Sequence, residues 1–159
     1  MPRTRKNKER ELRVKDIMTQ NPVCCTAETS LKDAAQLMVE YDCGEIPVVD
    51  SSETMKPIGV ITDRDITCRT VAQGKNPLQM TVRECMSSPS VIIALDASLE
   101  TCCETMEAGL IRRIPVVDET GRCCGIVSQA DIAKNAANED TAQVVKQLSQ
   151  PTVASSQVL

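Results

Sequence analysis

Ile46-Pro47-Val48-Val49-Asp50 recurs letter for letter as Ile114-Pro115-Val116-Val117-Asp118, 68 residues later. A second shared stretch follows each copy. The first is Gly59-Val60-Ile61-Thr62-Asp63-Arg64-Asp65-Ile66; the second is Gly125-Ile126-Val127-Ser128-Gln129-Ala130-Asp131-Ile132. Both read Gly, two apolar residues, a hydroxyl residue, two variable positions, Asp, Ile. Upstream, Val14-Lys15-Asp16-Ile17-Met18 matches Val82-Arg83-Glu84-Cys85-Met86. Matching stretches in one order mark an internal duplication. Units of about 60 residues are marginal alone, because a small unit buries too little of its surface. The two copies are therefore expected to pack on each other.

Each copy reads as strand, helix, strand, strand, helix. Val23 to Cys25 and Val91 to Ile93 are short apolar runs of strand type. Ser30 and Ser98 open helices whose apolar positions fall on one face, Leu31, Ala34, Ala35 and Met38, then Leu99, Cys102, Cys103 and Met106. Small residues within those faces allow close approach, and we expect a homodimer. The Ile-Pro-Val-Val-Asp strand follows, with proline where a ladder donor can be spared. A turn, another strand and a helix complete the copy. The first two strands, joined by a helix, should run parallel, and the last two should form a hairpin. The expected division is a disordered basic terminus at 1–13, a first domain at 14–72, a linker at 73–81, a second domain at 82–137, and a helix or tail at 138–159.

The core must be aliphatic, since Tyr41 is the only aromatic residue of the chain. That argues against single-strand nucleic-acid binding, which needs stacking platforms. The net charge is −4, yet residues 1–15 hold seven basic residues against two acidic ones. No apolar run reaches the length of a membrane span and no leader pattern follows the basic start, so a cytoplasmic protein without membrane attachment is expected. Nine cysteines and no histidine complete the composition. No Cys-x-x-Cys spacing occurs, so zinc-ribbon and thioredoxin readings lack their signature. Aligning the copies puts eight of the nine cysteines opposite an apolar or small residue, with Cys24 and Cys25 against Val91 and Ile92. Only Cys68 faces a polar partner, Lys134. Cysteine here reads as a small hydrophobe, with no metal site and no catalytic residue. The missing histidine also removes the commonest general base, and no enzyme is expected.

Thr62 and Ser128 stand where a strand hands over to a helix, each three residues before an Asp, Asp65 or Asp131. This is the pattern of a helix cap. The same helix start offers N–H groups to an anion, and a nearby carboxylate can accept bonds from a ribose diol.

These residues together resemble a tandem pair of CBS (cystathionine β-synthase) domains, a Bateman module, over about residues 12–137. The resemblance implies an α/β (α+β) fold of two βαββα units related by pseudo-twofold symmetry, with their sheets packed together. It implies a free-standing sensor that binds AMP, ADP, ATP or S-adenosylmethionine in clefts between the repeats and signals to an unidentified protein partner. No further cofactor is expected. The alternative is a dimerisation scaffold that binds no nucleotide. By the same resemblance, ribose and phosphate contacts map onto Thr62 with Asp65 and Ser128 with Asp131, and the adenine side onto Ile46, Pro47, Ile114 and Pro115. The copies differ in charge: Gly44-Glu45 precedes the first Ile-Pro and Arg112-Arg113 the second, while Arg64 lies inside the first octet. Arg favours phosphate and Glu opposes it. Arg64 makes the Thr62–Asp65 cleft the favoured one, with Arg113 available to the other.

Overall fold

The computed structural model describes residues 11–135. The chain forms α1 (Val14–Ile17), β1 (Thr19–Gln20), β2 (Cys25–Thr26), α2 (Leu31–Glu40), β3 (Glu45–Val49), β4 (Pro57–Thr62) and α3 (Asp63–Arg69). Three 3₁₀ turns follow at Val71–Gln73, Pro77–Gln79 and Val82–Glu84. The second copy supplies β5 (Ile93–Ala94), α4 (Leu99–Gly109), β6 (Arg113–Val117), β7 (Cys123–Ser128) and α5 (Gln129–Asn135). The βαββα pattern thus appears twice. The expected tail at 138–159 lies outside the described residues, as do residues 1–10. Arg13, assigned to the loose terminus, is placed and bridges to Ser98.

Local chemistry explains the elements. Ser30 Oγ accepts the Asp33 N–H at 3.0 Å and starts α2; Ser98 Oγ accepts the Thr101 N–H at 3.1 Å and starts α4. The repeated Asp closes each hairpin. Asp50 Oδ1 accepts the N–H groups of Ser51 and Lys56, and Asp118 Oδ1 those of Thr120 and Arg122. Proline is harmless in the central strand β3 for a geometric reason. Pro47 faces Val60, whose N–H points away to the Ser87 carbonyl, so Pro47 and Val60 form a non-hydrogen-bonded pair. The side where the proline donor would point is the side of β2, which reaches only Val48 and Val49.

β2 runs parallel to β3 and β4 antiparallel, giving a sheet of order β2-β3-β4. The second sheet has four strands, β1-β7-β6-β5, because β1 crosses from the start of the first copy. Parallel pairing also corrects one detail of alignment. Cys25 pairs with Val48 as Ile93 pairs with Val116, so the spacing stays at 68 and Cys24 and Cys25 match Ile92 and Ile93. Pro22 stands 67 residues before Pro89, so the extra residue of the second copy falls between the proline and the strand. The partners remain apolar either way.

The crossing of β1 is half of a reciprocal exchange. α1 packs its Val14 and Ile17 into the core of the second copy, among Met106, Ile114, Val127 and Ile132. Val82 and Cys85 pack into the first, among Leu31, Ile46, Val48 and Ile61. The backbone bonds correspond one to one: Val14 N–H to Ala97 O and Lys15 N–H to Leu95 O, against Val82 N–H to Thr29 O and Arg83 N–H to Ala27 O. Ion pairs repeat the pattern, Lys15 with Asp96 and Arg83 with Glu28, both exposed and each worth only about 0–1 kcal/mol.

Glycine makes the crossing possible. A Cβ at Gly59 would stand 2.5 Å from Ser87 O and 2.6 Å from Met86 Cε; one at Gly125 would stand 2.4 Å from Met18 Sδ and 3.1 Å from Thr19 O. The clash at Gly59 is with backbone, while the hardest one at Gly125 is with a flexible thioether. Gly59→Ala should therefore destabilise by roughly 1–3 kcal/mol, in the overpacking range, and Gly125→Ala by less. Urea denaturation of the two variants checks the order.

Candidate functional site

Ser128 ends β7 and caps α5. Its N–H and its hydroxyl both donate to Asp131 Oδ2 at 2.8 Å, and its Oγ accepts the Asp131 N–H at 3.2 Å. Everything that holds Asp131 in place uses one oxygen. Oδ1 has no protein partner among the described residues.

Thr62 and Asp65 form the same reciprocal cap, with Oδ2 accepting the Thr62 N–H at 3.1 Å and Thr62 Oγ1 accepting the Asp65 N–H at 2.9 Å. Here the second oxygen is engaged. Arg69, one turn on, brings Nη2 to 3.6 Å of Asp65 Oδ1, and Ser87 Oγ lies 3.5 Å from it. Arg69 Nη1 is fixed by the carbonyls of Cys85 and Met86 at 2.7 and 2.9 Å. In the second copy the residue at that place is Asn135, whose amide donates to the Asp131 carbonyl at 2.8 Å and leaves the carboxylate alone. One i, i+4 position decides which carboxylate is free.

A cavity of about 320 Å³ opens beside the free one. Ser128, Asp131 and Arg113 line it from the second repeat. Glu45, Cys43 and Tyr41 line it from the first. Asn21, Pro22 and Val23, following the crossing strand β1, complete the wall. The sequence-derived site residues are thus divided. Ser128, Asp131 and Arg113 meet. Thr62 and Asp65 form their own closed pair. Arg64 is exposed on α3 and takes no part in the cavity wall, its N–H donating to Asp63. Ile46 and Ile114 are fully buried in the two cores, and Pro47 and Pro115 are buried on the opposite strand faces.

Glu45 precedes the first Ile-Pro in sequence, yet it lines the cavity beside Asp131 of the second repeat. Its Oε2 is enclosed and accepts no hydrogen bond. Burial pushes the carboxyl up to about 7; the Arg113 charge opposes that shift and Asp65 adds to it. The thiols behave as packing groups. The eight cysteines with apolar or small counterparts are buried or half-buried, and Cys68 is exposed. Burial raises Cys25 to about 11 and Cys102 to about 12, which keeps both neutral at neutral pH. The Cys24 thiol donates to the Pro22 carbonyl at 3.4 Å and the Cys123 thiol to the Gly125 carbonyl at 3.7 Å, and the influence of each thiol on the other raises Cys24 and lowers Cys123.

The CBS domain family model matches residues 14–69 and 82–138, and the chain belongs to that family as a tandem pair, a Bateman module. This is a regulatory, ligand-binding class of module rather than a catalytic one. Hypoxic response protein 1 of Mycobacterium tuberculosis is 32% identical over 142 residues, 89% of this chain and 97% of its own. A solved structure of Hypoxic Response Protein I with two coordinated zinc ions matches 79% of this chain and all of that one, with a TM-score of 0.71. The CBS domain pair of protein MJ0100, in complex with 5′-methylthioadenosine and S-adenosyl-L-methionine, is 30% identical, with 78% and 94% covered and a TM-score of 0.69. CBSX2 in complex with AMP is 26% identical, with 78% and 95% covered and a TM-score of 0.64. Another curated relative is spanned over only 59% of its length.

The zinc-bound relative overturns the expectation that such a module requires no cofactor. The residues of this chain do not themselves fit a zinc site: histidine is absent, and no group of three or more Cys, Asp or Glu among the described residues could hold a metal ion. No helix among them is long and apolar enough to cross a membrane.

The raised Glu45 carboxyl has a consequence for stability. The unfolded chain ionises this group near 4.5 and the folded chain near 7, so folding favours the protonated form. Stability is lost as pH rises between those values and stays lost above. Glu45→Gln should therefore melt higher than the parent at pH 8, by an upper bound of about 3 kcal/mol, with the gap closing towards pH 4. Thermal melts across that range test it.

Proposed function

We propose that this Bateman module is a sensor that binds an adenosine-containing ligand, from the set AMP, ADP, ATP and S-adenosylmethionine, in the cleft of Ser128, Asp131 and Arg113, and passes its occupancy to a partner protein. The observation that carries this is the free Asp131 Oδ1 on the wall of a cavity built from both repeats. A ribose diol can donate two hydrogen bonds to such a carboxylate, and Arg113 and the start of α5 offer positive potential nearby. The adenosine ligands held by MJ0100 and CBSX2 support the reading. Thr62 with Asp65 is the second candidate pair, held shut by Arg69. Ile46, Pro47, Ile114 and Pro115 bury their side chains, so any part they take on the adenine side is through strand backbone. Occupancy acts by shifting the packing of the repeats, to the extent that the ligand binds one arrangement better. Free, buried thiols suit a reducing compartment, and we place the module in the cytoplasm.

Calorimetric titration with AMP and S-adenosylmethionine tests the site. Asp131→Ala should weaken binding by roughly 1.5–3 kcal/mol, the range for a hydrogen bond to a charged group, or about 10- to 150-fold. Asp65→Ala should change it by less than about 3-fold. Equal affinity in the parent and Asp131→Ala would remove Asp131 from the site, and no binding of either ligand to the parent would leave the dimerisation scaffold as the function.

We further propose a homodimer. Val39 on the outer face of α2 is 84% exposed and Leu78 70%, and both line one groove with Ala35, Lys32, Gln36 and Glu40. The helix face expected to pair copies is not available, since Leu31, Ala34 and Met38 are buried in their own repeat's core; the surface that a second copy would cover is instead this outer one around Val39 and Leu78. Sedimentation should show a dimer at micromolar concentration and a monomer for Val39→Asp. A monomeric parent protein would remove the claim.

A further inference from the structure

We propose that Glu45 sets the ligand class of the Ser128–Asp131 cleft: as a carboxylate it favours adenosine ligands with an uncharged or cationic tail and turns away those that end in phosphate. This rests on the adenosine reading of the cleft given above and narrows it.

Glu45 heads β3 of the first repeat, yet its side chain lines the cavity whose hydroxyl–Asp pair belongs to the second. Its Oε2 is the one buried side-chain polar atom without a hydrogen-bond partner among the described residues. An enclosed charge without a donor is costly, and a positive charge brought into the cavity lowers that cost through space while a negative one raises it. A phosphate brings only acceptors and negative charge. Arg113 shares the wall, but no ion pair joins it to Glu45, so it moderates the carboxylate without neutralising it. The groups that face Glu45 are otherwise acidic or neutral. Asp65 acts on it from α3, and Asp131, Asp42, Cys43 and Tyr41 line the same cavity. An incoming phosphate would meet three carboxylates on the wall and one guanidinium. A sulfonium or ammonium meets the reverse.

The discrimination depends on pH, because burial brings the Glu45 carboxyl to about 7. Below that value it is a neutral acid that can donate to a phosphate oxygen. Above it, phosphate binding must take up a proton, so affinity for a phosphate ligand falls as pH rises.

The test is calorimetry between about pH 6 and pH 8 with AMP, S-adenosylmethionine and uncharged 5′-methylthioadenosine. The parent should bind methylthioadenosine equally across the range and lose AMP affinity by up to about tenfold per pH unit above neutrality. Glu45→Gln should bind AMP at least about tenfold tighter than the parent at pH 8, show a flatter AMP profile, and lose preference for S-adenosylmethionine over methylthioadenosine. The ionisation of AMP itself is common to both proteins and drops out of the comparison. The proposal is overturned if parent and Glu45→Gln give the same AMP affinities and pH profiles while methylthioadenosine binding still depends on Asp131. If methylthioadenosine does not bind, or ignores Asp131→Ala, the adenosine reading of the cleft falls and this inference with it.

Discussion

Val14 and Val82 are fully buried, each in the core of the copy that does not contain it. Each insertion carries a second buried side chain with it, Ile17 or Cys85. At roughly 1.5–3 kcal/mol for burying one such aliphatic side chain, the exchange is large beside the few kcal/mol of net stability a domain retains. Neither copy completes its own core, so the repeats fold as a pair. The exchange also puts the lead-in chain across the outer edge of the other copy's hairpin, β1 on β7 and Ser87 on Val60. That edge is where each strand hands over to its capped helix. The cleft wall is therefore a by-product of how the cores are completed.

The two clefts start from one blueprint and end differently. The capping geometry of Thr62–Asp65 and Ser128–Asp131 agrees to within a few tenths of an ångström. What differs is the side chain one turn later. Arg69 makes two bonds to carbonyls of the crossing segment and reaches the Asp65 carboxylate. A ligand entering there would have to displace a guanidinium that is already satisfied and leave its charge to be solvated again. Asn135 makes a local backbone bond and asks nothing of Asp131. Identical caps thus yield one occupied carboxylate and one available carboxylate.

Much of this was legible because the duplication reports on itself. An identical pentapeptide with a patterned octet fixes two hairpins and two caps, and the aligned copies sorted the buried cysteines from Cys68. The exchange was not legible. Val14 to Met18 matches Val82 to Met86 whether each segment packs on its own copy or on the other, so spacing alone holds no information about the choice. Charges near the octets are ambiguous for a related reason. Arg64 precedes Asp65 directly, but adjacent positions on a helix do not face each other, whereas Arg69 at i+4 does. That rule was available from sequence. Glu45 was not open to such a rule, because its position depends on where the second copy's sheet sits across from β3.

A cleft assembled this way has a mechanical property that a pocket inside one repeat lacks. Its walls come from the first copy at Glu45 and Tyr41, from the second at Asp131 and Arg113, and from the chain joining them at Asn21 to Val23. A ligand that touches all three gains or loses contacts whenever the copies shift, so it necessarily has differential affinity for their arrangements. By linkage, whatever partner senses that arrangement changes ligand affinity by the same factor. The lead-in strand is the natural transmitter. β1 is two residues long and exposed, yet it is tied to α1, whose Val14 and Ile17 are locked in the second core. Asn21 to Val23 thus join a segment anchored in the second core to β2 and α2 of the first, the helix that presents Val39 to the outside.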